Sequence, residues 1–209
     1  MSKKQLSNNT LNFKAHNNQD LEDLLSSLTQ SSKYDDSYSI LAGQRMLFLS
    51  EDITKNTASE LTAMLLTLNE QSPKEEITIF INSRGGDSSA LTNIYDIMQQ
   101  ISAPIRTVCL GMAYSAAAIL LAAGTPGSRF ITRHSKVMIH GIQAIFPYSD
   151  KTDSEIYFNF LKNHNKNILK LIADHTNNSL SQVEEDCKRD YYMNAQEAIK
   201  YGIVDGIFM

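Results

Sequence analysis

The chain has 209 residues, 42% hydrophobic and 20% charged, enough for one domain with a substantial core and little room for two. A formal net charge of −4 and a pI near 5.7 leave no basic surface of the kind that neutralises phosphates, which argues against nucleic acid as a partner. Two cysteines, Cys109 and Cys187, make neither a disulfide framework nor a metal site, so a reducing compartment is the default.

Residues 1–36 are rich in Asn, Ser, Gln and Lys, with one short amphipathic piece at Leu21–Leu28. Such a stretch buries too little to order itself, and it reads as a flexible tail, a removable propeptide or an arm that orders on a partner. Residues 37–209 are expected to form the folded domain. The N-terminus has no apolar core of a secretory signal, and the absence of arginine speaks against a transit peptide, so the expected location is the cytoplasm. Arg45–Leu49 predicts a strand. Thr57 with Glu60 reads as a capping box, and Leu61, Met64, Leu65 and Leu68 recur at helical spacing. Ile77–Ile81 predicts a short strand running into Asn82-Ser83-Arg84-Gly85-Gly86-Asp87, whose two glycines let the backbone approach a ligand closely. A helix follows from Ser89, with Leu91, Ile94, Tyr95, Met98 and Ile101 on one face.

Thr107–Ser128 carries no charge between Arg106 and Arg129. About 20 apolar residues cross a bilayer, but Gly111 interrupts this run, Gly124 and Pro126 close it, and alanine drives insertion weakly. It reads instead as a buried strand Ile105–Leu110, a tight turn Gly111–Tyr114, and a buried helix Ser115–Ala123 capped by Gly124. Phe130–Thr132 and Val137–Ile139 predict short strands, the second ending at His140, followed by an irregular stretch Gly141–Tyr148. Thr152 and Glu155 form another capping box at the head of a long helix to about Asp174. A helix over Leu180–Lys188 and a last one capped by Asn194 and Glu197 and stopped by Gly202 complete the chain. Alternating strands and helices define an α/β domain.

Neither a phosphate-binding G-x-x-x-x-G-K-[ST] loop nor a G-x-G-x-x-G turn is present, and no cofactor or metal is implied. Ser115 would stand at a helix N-terminus, where unpaired N–H groups and the helix dipole favour developing negative charge; the plain alternative is an N-cap. Of the five histidines, His140 is the one aimed from the end of an apolar strand, whereas His164 lies among polar helix residues and His175 at a helix end. Acids cluster at Glu184, Glu185, Asp186 and Asp190, mostly as solvated helix charges. Acyl hydrolysis by serine needs a nucleophile, a base, a group orienting the base, and N–H donors for the oxyanion, and the chain can supply all four from element ends.

The motifs INSRGGD, NIYDIMQQI, GMAYSAAAILLAAGTPGSRF, VMIH and KRDYYMNAQEAIKYGIVDGI, in that order, resemble the ClpP family, the proteolytic subunits of caseinolytic protease, over about Tyr38–Ile207. The resemblance implies a crotonase-like α/β fold of repeated ββα units with a protruding strand–helix handle. It implies a Ser-His-Asp triad of Ser115, His140 and Asp190, with the oxyanion received by backbone N–H of Gly86 and Ala116. It further implies two stacked seven-membered rings and an AAA+ unfoldase as partner, with unfolded protein or peptide as substrate. Arg189 and Asp153 would pair between rings. Thr78, Phe80, Gln100, Val108 and Leu110 would line the unfoldase docking pocket, where Thr78 and Gln100 stand in place of aromatics and imply weaker or specialised docking.

The chain departs from the family at Arg84, where proline is usual, at Gly141-Ile142, where Gln-Pro is usual, and at Gln143–Tyr148, where a glycine-rich strand holds substrate. Residues before Tyr38 match none of the family's axial-loop pattern. Two other classes compete with the peptidase: a non-catalytic ring subunit, which would typically lack a triad member, and an acyl-CoA enzyme of the crotonase superfamily, which does not need this serine, histidine and aspartate.

Overall fold

The computed structural model of the chain describes residues 33–143 and 150–209. It opens with helix α1 (Lys33–Gly43), ahead of the point near Tyr38 where the sequence places the first order. The division between two compact units falls within α1, and Leu41–Met209 form the unit described below. Its strands are β1 (Met46–Leu49), β2 (Ile77–Ser83), β3 (Ile105–Tyr114), β4 (Arg129–Ile131), β5 (Lys136–Ile139), β6 (Tyr191–Asn194) and β7 (Gly206–Ile207). Its helices are α2 (Lys55–Gln71), α3 (Ser88–Gln100), α4 (Ala116–Ala122), α5 (Lys151–His175), α6 (Leu180–Asp186) and α7 (Ala195–Tyr201).

The strands make one seven-stranded sheet ordered β1-β2-β3-β4-β7, with β5 branching from β3 and β6 pairing β5. Every pairing is parallel except β5 with β6. This is the mixed α/β, parallel-rich fold that the motif set implies. The strand of the expected handle would fall at Gln143–Tyr148, of which 144–148 lie outside the described residues; its helix is α5.

Alternation on β2 sends Ile77, Ile79 and Ile81 into the core and leaves Thr78 and Phe80 half-buried on the other face. Against the inner face pack Leu61, Leu65 and Leu68 of α2, Leu91, Ile94 and Met98 of α3, and the whole of α4, all of whose side chains are buried. The charge-free stretch is therefore the centre of the core. Among the described residues no helix is long and apolar enough to cross a membrane.

Four sequence expectations change. The tight turn Gly111–Tyr114 is strand: β3 runs on to Tyr114, with Gly111 at φ 87° and a shift of register against β2 between Ile81 and Ser83. The irregularity lets β3 leave β4 after Cys109 and take up β5 from Met112 to Tyr114. Gly124 is not a left-handed cap; the helix ends at Ala123, and a Cβ at Gly124 would meet the Thr107 hydroxyl at 2.6 Å. Finally, α2 and α5 start earlier than their capping boxes suggest. The Thr54 hydroxyl accepts from Thr57 N–H, and the Asp150 carboxylate accepts from Thr152 and Asp153 N–H. A carboxylate at the positive helix end outcompetes a threonine two residues on. The Asn194–Glu197 box forms as expected.

Arg129, 9% exposed, ties the C-terminal segment to the sheet. Its guanidinium donates to both Asp205 carboxylate oxygens, at 2.6 and 3.0 Å, and to the carbonyls of Ala122, His175 and Gly202. Burial alone would raise the Asp205 pKa, but the Arg129 bonds outweigh it and hold the carboxyl below its ordinary value. A depressed carboxylate contributes stability that is complete above the unfolded pKa, about 3.9, and is lost as pH falls through the lower folded value. Asp205→Ala is expected to lower unfolding free energy by about 3 kcal/mol at neutral pH, because it strands a buried guanidinium. Urea titration of both proteins at pH 7 and pH 3 checks this, the gap between them narrowing in acid.

Candidate active site

Ser115 follows β3 directly and precedes α4. Its backbone sits at φ 55°, ψ −123°, one of two non-glycine residues with positive φ among the described residues. Such a conformation costs about 1–3 kcal/mol and persists only where the surroundings impose it. Here the Ser115 N–H donates to the Met138 carbonyl of β5 at 2.7 Å, and the Ser115 carbonyl accepts from Ala118 at 3.0 Å. The side chain makes no capping hydrogen bond, so the plain N-cap alternative does not describe it. A sharp strand-to-helix turn of this kind presents a serine hydroxyl outward from a sheet edge.

The glycine turn lies against it. A Cβ on Gly85 would come within 2.8 Å of the Ser115 Cβ and 2.9 Å of the Ala116 nitrogen, and φ 95° is itself a glycine conformation. The turn is stapled by a parallel bridge to Ile53: Ile53 N–H donates to the Gly85 carbonyl and Asp87 N–H to the Ile53 carbonyl, both at 2.8 Å. That bridge leaves the Gly86 N–H without a partner among the described residues, and the Ala116 N–H, at the first turn of α4, likewise.

His140 follows β5 and is half-buried. The next residues are fixed by Gly141 N–H to the Cys187 carbonyl at 2.9 Å and Ile142 N–H to Asn165 Oδ1 at 2.7 Å. Register supplies the rest. Tyr114 pairs Met138 in parallel, and Ile139 pairs Tyr191 antiparallel, so Ser115 and Asp190 each leave their strands beside His140. Ser115, Ala116, Gly86 and His140 line one cleft of about 400 Å³, walled by Leu91, Ile119, Ile168 and Ile172. His140 also borders a second cleft of about 520 Å³ with Arg189 and Asp190. No hydrogen bond joins Ser115, His140 and Asp190 in this chain among the described residues; Asp190 is exposed and accepts from Tyr192 Oη at 3.5 Å. Catalytic hydrogen bonds are often long before substrate is bound.

Burial pushes the Cys109 and Cys187 thiols up to about 12, which removes both as nucleophiles. Sequence reading passed over Ser88 and His164, whose Oγ and Nε2 are 2.9 Å apart. Ser88 opens α3 next to the Asp87 carboxylate, which already occupies the N–H groups of Ser89 and Ala90. A developing oxyanion there would meet a negative charge instead of free donors, so the pair serves as an anchor holding α5 over the cleft. The four-residue spacing of Ile168 and Ile172 signalled that α5 turns an apolar face to it.

Of the other expected positions, Asp153 lies in the first turn of α5 and Arg189 is exposed before β6. Gln100 is exposed at the end of α3, and Thr78 and Leu110 are half-buried. Val108 is fully buried and offers no free wall. The outer sheet face carries Phe80 stacked on Phe48 at 5.0 Å, with Phe208 edge-on at 6.2 Å and Phe130 against Phe208.

Fold and site together define an α/β protein with a serine at a strained turn facing a histidine and unengaged backbone N–H groups. The family model described as Clp protease matches residues 29–209. The ATP-dependent Clp protease proteolytic subunit 2 of Streptomyces coelicolor is 38% identical over 177 residues, 82% of this chain and 79% of that protein. Subunit 1 of Corynebacterium glutamicum is 39% identical over 171 residues, 82% of each chain, and subunit 1 of Tropheryma whipplei is 38% identical over 175 residues, 83% of this chain and 84% of that protein. The chain belongs to the Clp protease family.

Gly85→Ala forces the turn away from Ser115, and a misplacement of about 1 Å at a reacting group costs about 10²-fold in rate. Peptide hydrolysis by this variant is expected to fall by that factor, with circular dichroism unchanged.

Proposed function

We propose that the chain is a serine endopeptidase cleaving peptides and unfolded proteins, with residues 37–209 as the peptidase domain and residues 1–36 as a tail, propeptide or axial loop. The observation that carries this reading is Ser115, held at positive φ with no capping bond, in one cleft with His140 and the free N–H groups of Gly86 and Ala116. In the proposed reaction Ser115 Oγ attacks the substrate carbonyl while His140 takes its proton. The oxyanion is received by Gly86 and Ala116 N–H, and His140 then protonates the leaving amine. Asp190 orients His140 once its carboxylate turns from Tyr192, and water releases the acyl group by the same steps. The neighbourhood of all three residues favours this over a non-catalytic ring subunit, and an acyl-CoA enzyme would have no use for Ser115.

The relatives' names describe subunits of ATP-dependent proteases, and by analogy we infer a cytoplasmic assembly of two stacked heptameric rings fed by an AAA+ unfoldase. Two surfaces support self-association and docking. Ile156, Phe158 and Phe160 on α5 are more than half exposed, an apolar face suited to burial between subunits. Phe48, Phe80, Phe130 and Phe208 make an aromatic face on the sheet that suits an unfoldase loop, with Thr78 and Leu110 on the neighbouring strand positions and Gln100 exposed at the end of α3. Thr78 and Gln100 stand where aromatics are usual, so we infer weaker or specialised docking; the alternative is a pocket repacked by Phe48, Phe130 and Phe208.

Ser115→Ala is expected to abolish hydrolysis of short unstructured peptides and labelling by a fluorophosphonate, and His140→Ala to cost a comparable factor, about 10³ or more in kcat. Peptide cleavage by Ser115→Ala near the wild-type rate would sink the mechanism. If Arg189 and Asp153 pair between rings, Arg189→Ala leaves an unpaired charge at the contact and shifts double rings toward single rings, lowering activity through the adjacent Asp190. Sedimentation velocity with parallel peptide assays checks this; intact double rings with full activity would reject the pairing.

A further inference from the structure

Arg84 occupies an unusual position in the cleft. Its neighbours on either side are immobilised: Ser83 is 2% exposed and its Oγ accepts from Gly85 N–H at 3.1 Å, while Gly85 and Gly86 are fixed by contact with Ser115 and by the Ile53 bridge. The Arg84 main chain is thus held two residues from the Gly86 N–H, yet its side chain is exposed on the wall of the cleft that contains Ser115 and His140. The guanidinium forms no hydrogen bond or ion pair among the described residues, as is true also of Arg133 and Arg189 but not of Arg45, Arg106 and Arg129; of the three unpaired arginines, Arg84 is the one that lines the cleft with Ser115.

The remaining lining sharpens the point. Leu91, Ile119, Ile139, Ile142, Ile168 and Ile172 are apolar, and the acid in the cleft wall, Asp87, turns one carboxylate oxygen to Ser89 and Ala90 N–H at 2.8 Å, where the head of α3 offsets part of its charge. A permanent cation with five donors, in the cleft of Ser115 and with no carboxylate partner among the described residues, is matched by a carboxylate carried on the substrate. Extended peptide advances about 3.3 Å per residue, so a side chain of arginine's length covers roughly two residues on either side of the bond being cut.

We propose that Arg84 is a specificity-determining residue that pairs with an Asp or Glu side chain of the peptide close to the cleaved bond, while the isoleucine-lined part of the cleft takes a neighbouring apolar side chain. The inference rests on the serine peptidase reading. It makes the chain prefer acidic-flanked peptides over neutral isosteres, and disfavour peptides with lysine at the same place.

The test uses the full-length protein and one fluorogenic peptide blocked at both ends, with Asp, Asn or Lys in turn at each position flanking the cleaved bond. A neutral version with a free C-terminal carboxylate is compared with its amide. The wild type is expected to show a kcat/KM ratio of about fivefold for Asp over Asn at one flanking position in low salt, the size of a single exposed ion pair. The ratio should fall toward one at 0.5 M salt. In Arg84→Gln it should be near one at both salt concentrations, and Arg84→Glu should favour Lys. Each ratio compares two peptides on the same enzyme, so a change in the amount of folded or assembled protein cancels, and Arg84→Gln suffices if the charge reversal does not fold. An equal Asp/Asn ratio in wild type and Arg84→Gln overturns the assignment, as does a gain confined to the free C-terminal carboxylate. Failure of the wild type to hydrolyse any of the peptides removes the peptidase reading and this inference with it; hydrolysis without a charge ratio removes Arg84 alone.

Discussion

The site depends on one contact between two backbones: the glycine turn after β2 lying against the left-handed turn at Ser115. Each turn is costly alone, and each is held by hydrogen bonds to a strand or bridge outside it, Ser115 by Met138 of β5 and Gly85–Asp87 by Ile53. Where they meet there is no room for a side chain at Gly85. The same closeness that forbids a Cβ brings the Gly86 N–H to the cleft beside the Ser115 side chain. Strain at the serine is sustained because the surrounding sheet over-determines its position.

That sheet is rigid for reasons visible throughout the core. Helix α4, buried on every face, is pinned at its end by Arg129, which also gathers the carbonyls of His175 and Gly202 and the carboxylate of Asp205. One buried cation therefore joins the end of the serine's helix, the end of α5 and the C-terminal turn. Tyr95 reinforces the same corner through a 2.9 Å hydrogen bond with His175 Nε2. Burial, followed by the nearby Arg129 charge, holds the His175 pKa below its usual value, which keeps this imidazole neutral and structural. The His140 ring, at the end of a short strand, makes no hydrogen bond among the described residues.

Asp190 is the most exposed of the three proposed triad residues. It lies before a four-residue strand and faces His140 across a cleft without bonding to it. Under the proposed mechanism, with Ser115 and the Gly86 and Ala116 N–H groups held by backbone contacts and Asp190 exposed, small shifts of β6 would have large effects on activity. The exposed apolar face of α5 lies on the helix that also forms part of the cleft wall, so contacts made there would reach the cleft through α5.

Much of this was legible in the chain itself. Helical spacing in Leu61–Leu68 and Leu91–Met98 marked core-facing helices, alternation in Ile77–Ile81 marked a strand, and the uncharged run around Ser115 marked the buried centre, because apolar periodicity reflects burial directly. The double glycine also declared itself, since few other residues fit a turn pressed against another backbone. Sequence alone misplaced the residues whose state depends on distant partners. Gly111–Tyr114 looked like a turn and is strand, because pairing with β5, more than twenty residues later, rescues it. The strand β6, which sets Asp190 opposite His140, is only four residues long, too short a pattern to mark a strand by itself, and it forms by pairing with β5. Arg84 stood out in the sequence as a replacement for the usual proline; that its side chain lines the cleft and has no carboxylate partner among the described residues follows from how β2, α3 and α5 pack around it. Local pattern determined which residues are buried and which elements form, whereas the register between strands far apart in the chain decided which side chains share a cleft.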